Sequence, residues 1–163
     1  MFWGAFSYDS RTSMWAMHGD PESPRSNINA TRIFECLQEQ LPTICSPGSI
    51  FAQDNAPTHT AILVQRWLRN WAQENGIELV DWPPYSPDFN PIENVWKLLK
   101  EGICTRYPEL GDLPKNEESK RQLIRATIEC WEIMRDDIFE NLVSSMERRL
   151  QAVIAVRGWY TKY

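Results

Sequence analysis

Two acidic residues, Asp54 and Glu93, stand in settings where a carboxylate could take part in chemistry. Asp54 follows the strand-like run "SIFAQ" and precedes "NAP", and Glu93 lies in "NPIE" at the start of a predicted helix. Mg²⁺ prefers a few carboxylate oxygens together with water and substrate phosphate. Two such cations about 3.5–4 Å apart can activate the attacking oxygen and stabilise the leaving oxygen at a phosphodiester. The two acids are therefore candidate ligands of Mg²⁺ or Mn²⁺ in phosphodiester chemistry.

Each acid also has an ordinary structural explanation. Asn90 can cap a helix whose first position suits Pro91, and Glu93 can return a hydrogen bond to the backbone in a capping box. Asp54 can form an Asx turn with its own backbone. Most first-turn glutamates have no chemical role, so capping statistics alone favour the structural explanation for Glu93, and an isolated Asp in the setting of Asp54 would more often form the turn.

Three polar neighbours of the acids are weaker candidates. His59 could touch a metal or a phosphate, although a histidine at a helix start near a strand end is more often a hydrogen-bonded structural residue. Asp88 and Asn90 are expected to fix the proline-rich turn rather than to bind substrate. None of the three is favoured as a site residue.

Aromatic and basic side chains have a structural and a functional interpretation. Five of the eight tryptophans fit helical core spacing, or in one case turn packing, better than nucleotide stacking; these five are Trp67, Trp71, Trp82, Trp96 and Trp131. The C-terminal segment is locally basic and could contact DNA phosphates, but a solvated helix face is at least as consistent with its sequence. Its basic residues are Arg148, Arg149, Arg157 and Lys162.

An ordered α/β pattern is predicted to position these residues. Two aromatic-rich runs, "MFWGAFSY" and "SMWAMHG", predict a hairpin around the polar "DSRT". A helix is expected from Asn29 until Pro42 stops it, followed by a strand at "SIFAQD", a helix that Gly76 closes and a strand at "IELVDW". This order predicts a mixed sheet covered by helices, with ligand chemistry at the strand ends.

The chain from Glu101 onward is predicted to be helical, apart from a loop at "PELGDLPKNEES". One amphipathic face is predicted at Leu123, Ile124, Ile128 and Trp131. A second, after a cap at Asp136, is predicted at Ile138, Leu142, Val143, Met146, Leu150, Val153 and Ile154. These helices are expected to pack as an annex on the sheet.

Composition limits the classes of protein that the chain can represent. Its 163 residues suit one domain with a substantial core, and its four cysteines lack the paired short spacing of a zinc site or disulfide scaffold. Neither a membrane span nor a signal peptide is visible, so we expect a protein that is neither secreted nor membrane-bound. The formal net charge of −5 is unfavourable for neutralising DNA phosphates directly.

Three stretches resemble the catalytic domain of the mariner superfamily of DDE transposases, in its Glu-ending branch. They are "FAQDNAPTHTA", "LVDWPPYSPDFNPIENVWKLLK" and "SMERRLQAVIAVRGWYTKY", and "FWGAFSY" is similar to the family's opening hairpin. The resemblance implies an RNase H-like fold and a metal-binding acidic triad that cuts element ends and joins them to target DNA. It assigns Asp54 as the second acid and Glu93 as the third, with Mg²⁺ or Mn²⁺ as cofactor. The 38 residues between them make this interval longer than the commonest version.

The resemblance also implies what this sequence lacks. The family's first catalytic Asp lies on a strand before the hairpin that begins here at Met1, and neither Asp9, in a hairpin turn, nor Asp20, in a loop, has that setting. The expected fold is α/β: an RNase H-like mixed sheet with flanking helices in residues 1–100, its first strand missing, and a C-terminal helical annex in residues 101–163.

Two functions from different classes follow. The first is a catalytic domain for metal-dependent DNA strand cleavage and transfer, expected to be inactive as this fragment because one acid is missing. The second is a non-catalytic, transposon-derived remnant that acts as an interaction module. The resemblance implies transposon ends and target DNA as partners, a homodimer as a candidate assembly and a nuclear location.

Overall fold

The structure is a computed structural model that describes residues 1–19, 28–84, 86–87 and 89–157. The chain divides into two compact units. The first contains Met1–Gly4 and Trp15–Tyr85, and the second contains Ala5–Met14 and Ser86–Tyr163. The predicted division of the chain at residue 100 stays a prediction.

Four short strands in the first unit form two pairs. β1 (Phe2–Trp3) pairs antiparallel with β2 (Trp15–Ala16), as the predicted hairpin requires. β3 (Ile50–Phe51) pairs parallel with β4 (Glu78–Leu79), which confirms strands in "SIFAQD" and "IELVDW". Within the described residues, the antiparallel and parallel pairings lie in two separate two-stranded sheets, rather than in the single mixed sheet that was predicted.

α1 (Ala30–Ile44) begins where the sequence predicts, because the Asn29 side chain accepts a hydrogen bond from the Arg32 backbone N–H at 3.1 Å. The prediction that Pro42 ends this helix is wrong. Proline removes one backbone donor, but the Cys45 N–H still bonds to the Leu41 carbonyl oxygen at 2.9 Å and completes the last turn. α1 therefore continues for two residues beyond the proline.

α2 (Ile62–Asn75) ends at Gly76, as predicted, in a left-handed conformation with φ of 68°. The Ile77 N–H bonds to the Ala72 carbonyl oxygen at 2.8 Å, and the Gly76 N–H bonds to that of Gln73 at 3.4 Å. These two bonds form a Schellman motif. α1 and α2 supply most of the first unit's core, whose buried members are Met17, Ile33, Cys36, Leu37, Leu41, Val64 and Leu68.

The second unit is helical in its described part. Its helices are α3 (Ile92–Arg106), a short 3-10 helix (Pro108–Asp112), α4 (Glu117–Glu132), α5 (Asp136–Ser144) and α6 (Met146–Ala155). The 3-10 helix occupies part of the segment predicted as a loop. None of the helices in the described residues is long and apolar enough to cross a bilayer.

The last predicted helical stripe is wrong in two respects. The helix is interrupted at Ser145, and Arg135 rather than Asp136 precedes the first of the two resulting helices. The buried residues there are Phe139, Ser145 and Arg149, whereas Leu150 and Ile154 are exposed. Likewise, the stripe predicted on α4 is only partly buried: Trp131 is buried but Leu123 is exposed.

Residues 5–14 belong to the second unit and pack against its helices. The Arg11 guanidinium donates to the carbonyl oxygens of Glu132 (2.8 Å) and Met134 (2.9 Å) and lies 4.8 Å from the centre of the Phe139 ring. The Trp131 indole N–H donates to the Thr12 carbonyl oxygen at 2.8 Å. The arginine thus satisfies carbonyl groups that the end of α4 leaves without helical partners.

Candidate metal-binding residues

Asp54 lies three residues after β3, in a tight turn. Its Oδ1 accepts a hydrogen bond from the Ala56 backbone N–H at 3.2 Å, which confirms the Asx turn that the sequence allowed. The same oxygen lies 2.6 Å from Nδ1 of His59. Its other oxygen, Oδ2, has no hydrogen-bond partner among the described residues, and the side chain is 47% exposed. One oxygen is therefore held while the other remains available to a ligand.

Hydrogen bonds to both the backbone N–H and the carbonyl oxygen of His59 hold this residue in place. Its own N–H bonds to the Ala56 carbonyl oxygen at 2.8 Å, and its carbonyl oxygen accepts from Nε2 of Gln65, in α2, at 2.9 Å. The side chain is only 17% exposed. The structural role that the sequence favoured for His59 is confirmed, with the addition that its partner is the candidate ligand Asp54.

Asn55 connects the Asp54 turn to the segment after β4. Its side-chain amide donates to the Trp82 carbonyl oxygen at 2.6 Å. Trp82 is buried, which agrees with packing of the proline-rich turn rather than with nucleotide stacking. The turn that carries Asp54 is thus anchored by His59 on one side and by Asn55 on the other.

Glu93 lies in the first turn of α3 and is exposed. The expected cap at Asn90 is not formed, because Pro91 immediately precedes α3 and the Asn90 Oδ1 accepts instead from the Ile92 N–H at 3.4 Å, two residues on, as in an Asx turn. The return bond from Glu93 is not formed, since the Asn90 N–H donates instead to the Pro87 carbonyl oxygen at 3.0 Å. The Glu93 carboxylate has no hydrogen-bond or ion-pair partner among the described residues, so it is not committed to a structural role there.

The carboxylates of Asp54 and Glu93 suit a hard divalent cation. Each retains oxygen atoms without a described partner, and carboxylate oxygens are what Mg²⁺ and Mn²⁺ favour. Asp54 belongs to the first unit and Glu93 to the second, and their convergence on one cation stays a prediction. Across the described ranges, no group of three or more His, Cys, Asp and Glu side chains is placed to hold a metal ion.

Asp9 is the one remaining acidic candidate that the described residues include. Asp9 is exposed and accepts a hydrogen bond from the Ser7 hydroxyl at 3.0 Å, in the turn where the sequence places it. Asp20, Asp88 and Lys162 lie outside the described residues.

Arg149 has a role that the sequence interpretation missed. Predicted to lie on a solvated or DNA-contacting face, it is only 3% exposed. Its Nε donates to the Ser145 hydroxyl at 2.9 Å, and its NH2 donates to Oδ1 of Asn94, next to Glu93, at 2.7 Å. Helical spacing was the available signal: Arg149 follows Met146 by three residues and precedes Val153 by four, which places it on the predicted apolar stripe.

The helical tryptophans pack as the sequence predicts. Trp67 stacks on Trp71 and meets Phe34 edge-on, with ring centres 5.7 Å apart in both pairs. Trp96 stacks on the buried Trp131 at 6.0 Å. These contacts explain the aromatic content through packing, not through stacking on bases.

Comparison with known proteins identifies relatives of the chain. The family model described as DDE superfamily endonuclease matches residues 21–113. The Tc1 transposase of Caenorhabditis elegans is 39% identical over 166 residues, and the Tcb1 transposase of Caenorhabditis briggsae is 34% identical over 171. Both alignments cover all of this chain and 54% of the relative, so the chain spans about half the length of these curated relatives.

Solved structures show the same fold. The Mos1 transposase catalytic domain with Raltegravir and Mn has a TM-score of 0.55, 20% identity, and coverage of 99% of this chain and 82% of that one. The corresponding structure with Mg has a TM-score of 0.56, 18% identity, and coverage of 99% and 83%. The Mos1 paired-end complex with the left transposon end has a TM-score of 0.55 and 21% identity, and the match covers 92% of this chain and 44% of that one.

These similarities support the RNase H-like fold that the motifs implied, and they give no support to the alternative of a non-catalytic module. The chain belongs to the DDE superfamily of endonucleases, and it is similar to the Tc1 and Mos1 transposases.

Proposed function

We propose that the chain is part of the catalytic domain of a cut-and-paste transposase, with Asp54 and Glu93 as two carboxylate ligands of Mg²⁺ or Mn²⁺. The observation that carries the proposal is the unequal hydrogen bonding of the two Asp54 carboxylate oxygens. Its Oδ1 is held by Ala56 and His59, while Oδ2 has no partner among the described residues. A carboxylate held in this way is prepared to bind a cation without first breaking a hydrogen bond or ion pair of that second oxygen.

Glu93 supports the same role from a helix start. Its carboxylate has no described partner, and the bond that would have occupied it in a capping box is replaced by the Asn90–Pro87 backbone bond. The N-terminal end of α3 carries partial positive charge, which favours a carboxylate there. On this proposal, Glu93 presents its charge to the cation instead of closing the helix end.

Bound divalent cations would supply activation of the attacking oxygen and stabilisation of the leaving oxygen. Asp54 and Glu93 would hold and orient them, and the DNA backbone would contribute phosphate oxygens. The metals in the related Mos1 structures, Mn and Mg, are consistent with this donor chemistry.

DNA is the substrate that we propose for this chemistry, because a related structure is a complex with a transposon end. We propose transposon ends and target DNA as partners and the nucleus as the working location. A homodimer would allow two ends to be processed together. We further propose that a third carboxylate completes the ligand set.

The test uses the full-length protein that contains this sequence. Mn²⁺-dependent nicking of supercoiled plasmid carrying the element ends is measured for the parent and for Asp54→Asn, Glu93→Gln and the control Asp9→Asn. We expect the first two substitutions to reduce the nicking rate by roughly a hundredfold or more, since each removes a charged ligand. Asp9→Asn should cut at the parental rate.

Equal nicking by the parent, Asp54→Asn and Glu93→Gln would remove the assigned roles. A parent that binds DNA but never nicks it, with either cation, would favour the non-catalytic alternative.

A further inference from the structure

His59 contacts a candidate metal ligand, but nothing above gives it a part in the chemistry. We propose that His59 is a positioning residue: it fixes the Asp54 carboxylate through Oδ1 so that Oδ2 faces the divalent cation. This inference rests on the proposed function, because it takes Asp54 to be a metal ligand.

The contact between the two side chains is strong and directional. A carboxylate oxygen accepts hydrogen bonds, so the 2.6 Å contact requires Nδ1 of His59 to carry the hydrogen. Short bonds of this kind to a charged acceptor are stronger than neutral ones. With the Ala56 N–H also bonded, Oδ1 takes two hydrogen bonds and Oδ2 takes none from the described residues. The asymmetry leaves one particular oxygen free.

His59 can hold Asp54 because α2 holds His59. The imidazole is largely buried, and the Gln65 side chain in the first turn of α2 donates to the His59 carbonyl oxygen at 2.9 Å. A continuous series of contacts therefore runs from Gln65 through His59 to Asp54. A ligand carboxylate restrained in this way loses less rotational freedom when it binds a cation, and partners of this kind commonly tune metal affinity about 10- to 100-fold.

A merely structural histidine would give a different result. If His59 only closed the turn after β3, its removal would lower stability without a specific effect on metal affinity. If its free Nε2 bound the cation directly, a side chain that replaces Nε2 would be needed. Asparagine can offer an N–H near the position of Nδ1, whereas glutamine reaches the position of Nε2. The two amides therefore separate positioning from direct binding.

The experiment measures Mn²⁺ affinity of the intact chain by electron paramagnetic resonance, with folding of each variant checked by circular dichroism and urea unfolding. The variants are Asp54→Asn, His59→Ala, His59→Asn and His59→Gln. The exposed His18, the other of the two histidines in the sequence, provides the matched control His18→Ala.

We expect Asp54→Asn to abolish the tightest site and His59→Ala to weaken it about tenfold. His59→Asn should restore affinity to within about twofold, because it keeps the donor to Oδ1. His59→Gln should remain weak, and His18→Ala should match the parent. If His59→Ala does not fold, the contrast between the asparagine and glutamine variants decides the matter.

Two results would overturn the inference while leaving the proposed function intact: loss of the site in Asp54→Asn with parental affinity in His59→Ala, or restoration by glutamine and not by asparagine. Parental affinity in Asp54→Asn would instead contradict the proposed function, and the role of His59 would fall with it.

Discussion

Arg148 and Arg149 are neighbours in the sequence but lie in opposite environments. Arg148 is exposed, whereas Arg149 is buried and bonds to the side chains of Ser145 and Asn94. A helix rotates by about 100° per residue, so adjacent side chains point in different directions. The described part of the basic tail therefore contains two kinds of arginine: Arg148 and Arg157 are exposed, whereas Arg149 is buried.

Replacing Arg149 with alanine should destabilise the protein. The substitution leaves the buried Ser145 hydroxyl and the partly buried Asn94 oxygen without their guanidinium donor, which costs about 1–3 kcal/mol of unfolding free energy. Arg148→Ala should change that free energy by less than about 0.5 kcal/mol. Urea unfolding of the two variants measures the difference, and equal midpoints would contradict the packing described for Arg149.

At the level of single residues, the sequence predicted which residues are candidates for the site better than it predicted the contacts that they make. Asp54 and Glu93 could be chosen because carboxylates near a strand end and a helix start suit a cation. The His59–Asp54 bond could not be chosen, because a five-residue separation in a turn does not fix which atoms meet. For Glu93, capping statistics alone favoured the capping box, whereas in the structure the Asn90 N–H bonds to the Pro87 carbonyl oxygen and the Glu93 carboxylate has no described partner.

The end of α2 offers a test at the scale of one element. Gly76 has φ of +68°, and the nearest atom to an added Cβ would be Pro47 Cβ at an ordinary 3.6 Å. The expected cost of Gly76→Ala therefore comes from the left-handed backbone, about 1–2 kcal/mol of unfolding free energy. Gly102, inside α3, has nothing within 4 Å of such an atom.

Gly102→Ala should have the opposite effect. It removes a glycine from a helix interior without a clash and should raise the unfolding free energy by about 0.5–1 kcal/mol. Thermal unfolding of the two variants compares them directly. A Gly76→Ala variant as stable as Gly102→Ala would mean that α2 does not end in the left-handed conformation.

Elements with strong local signals were predicted well. Asn29 and Gly76 fixed a helix start and a helix end because capping depends on the local chain. Pro42 was misjudged, since a proline near a C-terminus removes a single bond that the last turn can lose. The break between α5 and α6 was missed because the apolar spacing continues across Ser145, and only packing shows that Leu150 and Ile154 face solvent.

Charge is the property of the whole chain that bears most directly on DNA binding. With 17 basic and 22 acidic residues, the chain carries a formal charge of −5 at pH 7. Phosphate neutralisation by Lys and Arg is the usual source of non-specific affinity, and here the net charge opposes it. Cations held by Asp54 and Glu93 would offset part of that repulsion at the place where a phosphate must approach.

Mg²⁺ should therefore strengthen duplex binding by this chain, although it competes with ordinary basic proteins for DNA phosphates. At constant ionic strength, replacing part of the KCl with MgCl₂ should raise affinity by roughly threefold or more, or about 0.7 kcal/mol. The Asp54→Asn/Glu93→Gln double variant has two fewer negative charges, so its affinity without Mg²⁺ should equal or exceed the parent's. It should nevertheless lose the Mg²⁺-dependent rise, as measured by fluorescence anisotropy. An identical rise in the double variant would mean that Mg²⁺ acts at a site other than Asp54 and Glu93. Removing two negative charges alone would raise the affinity for DNA without Mg²⁺, but it would not remove the response to Mg²⁺.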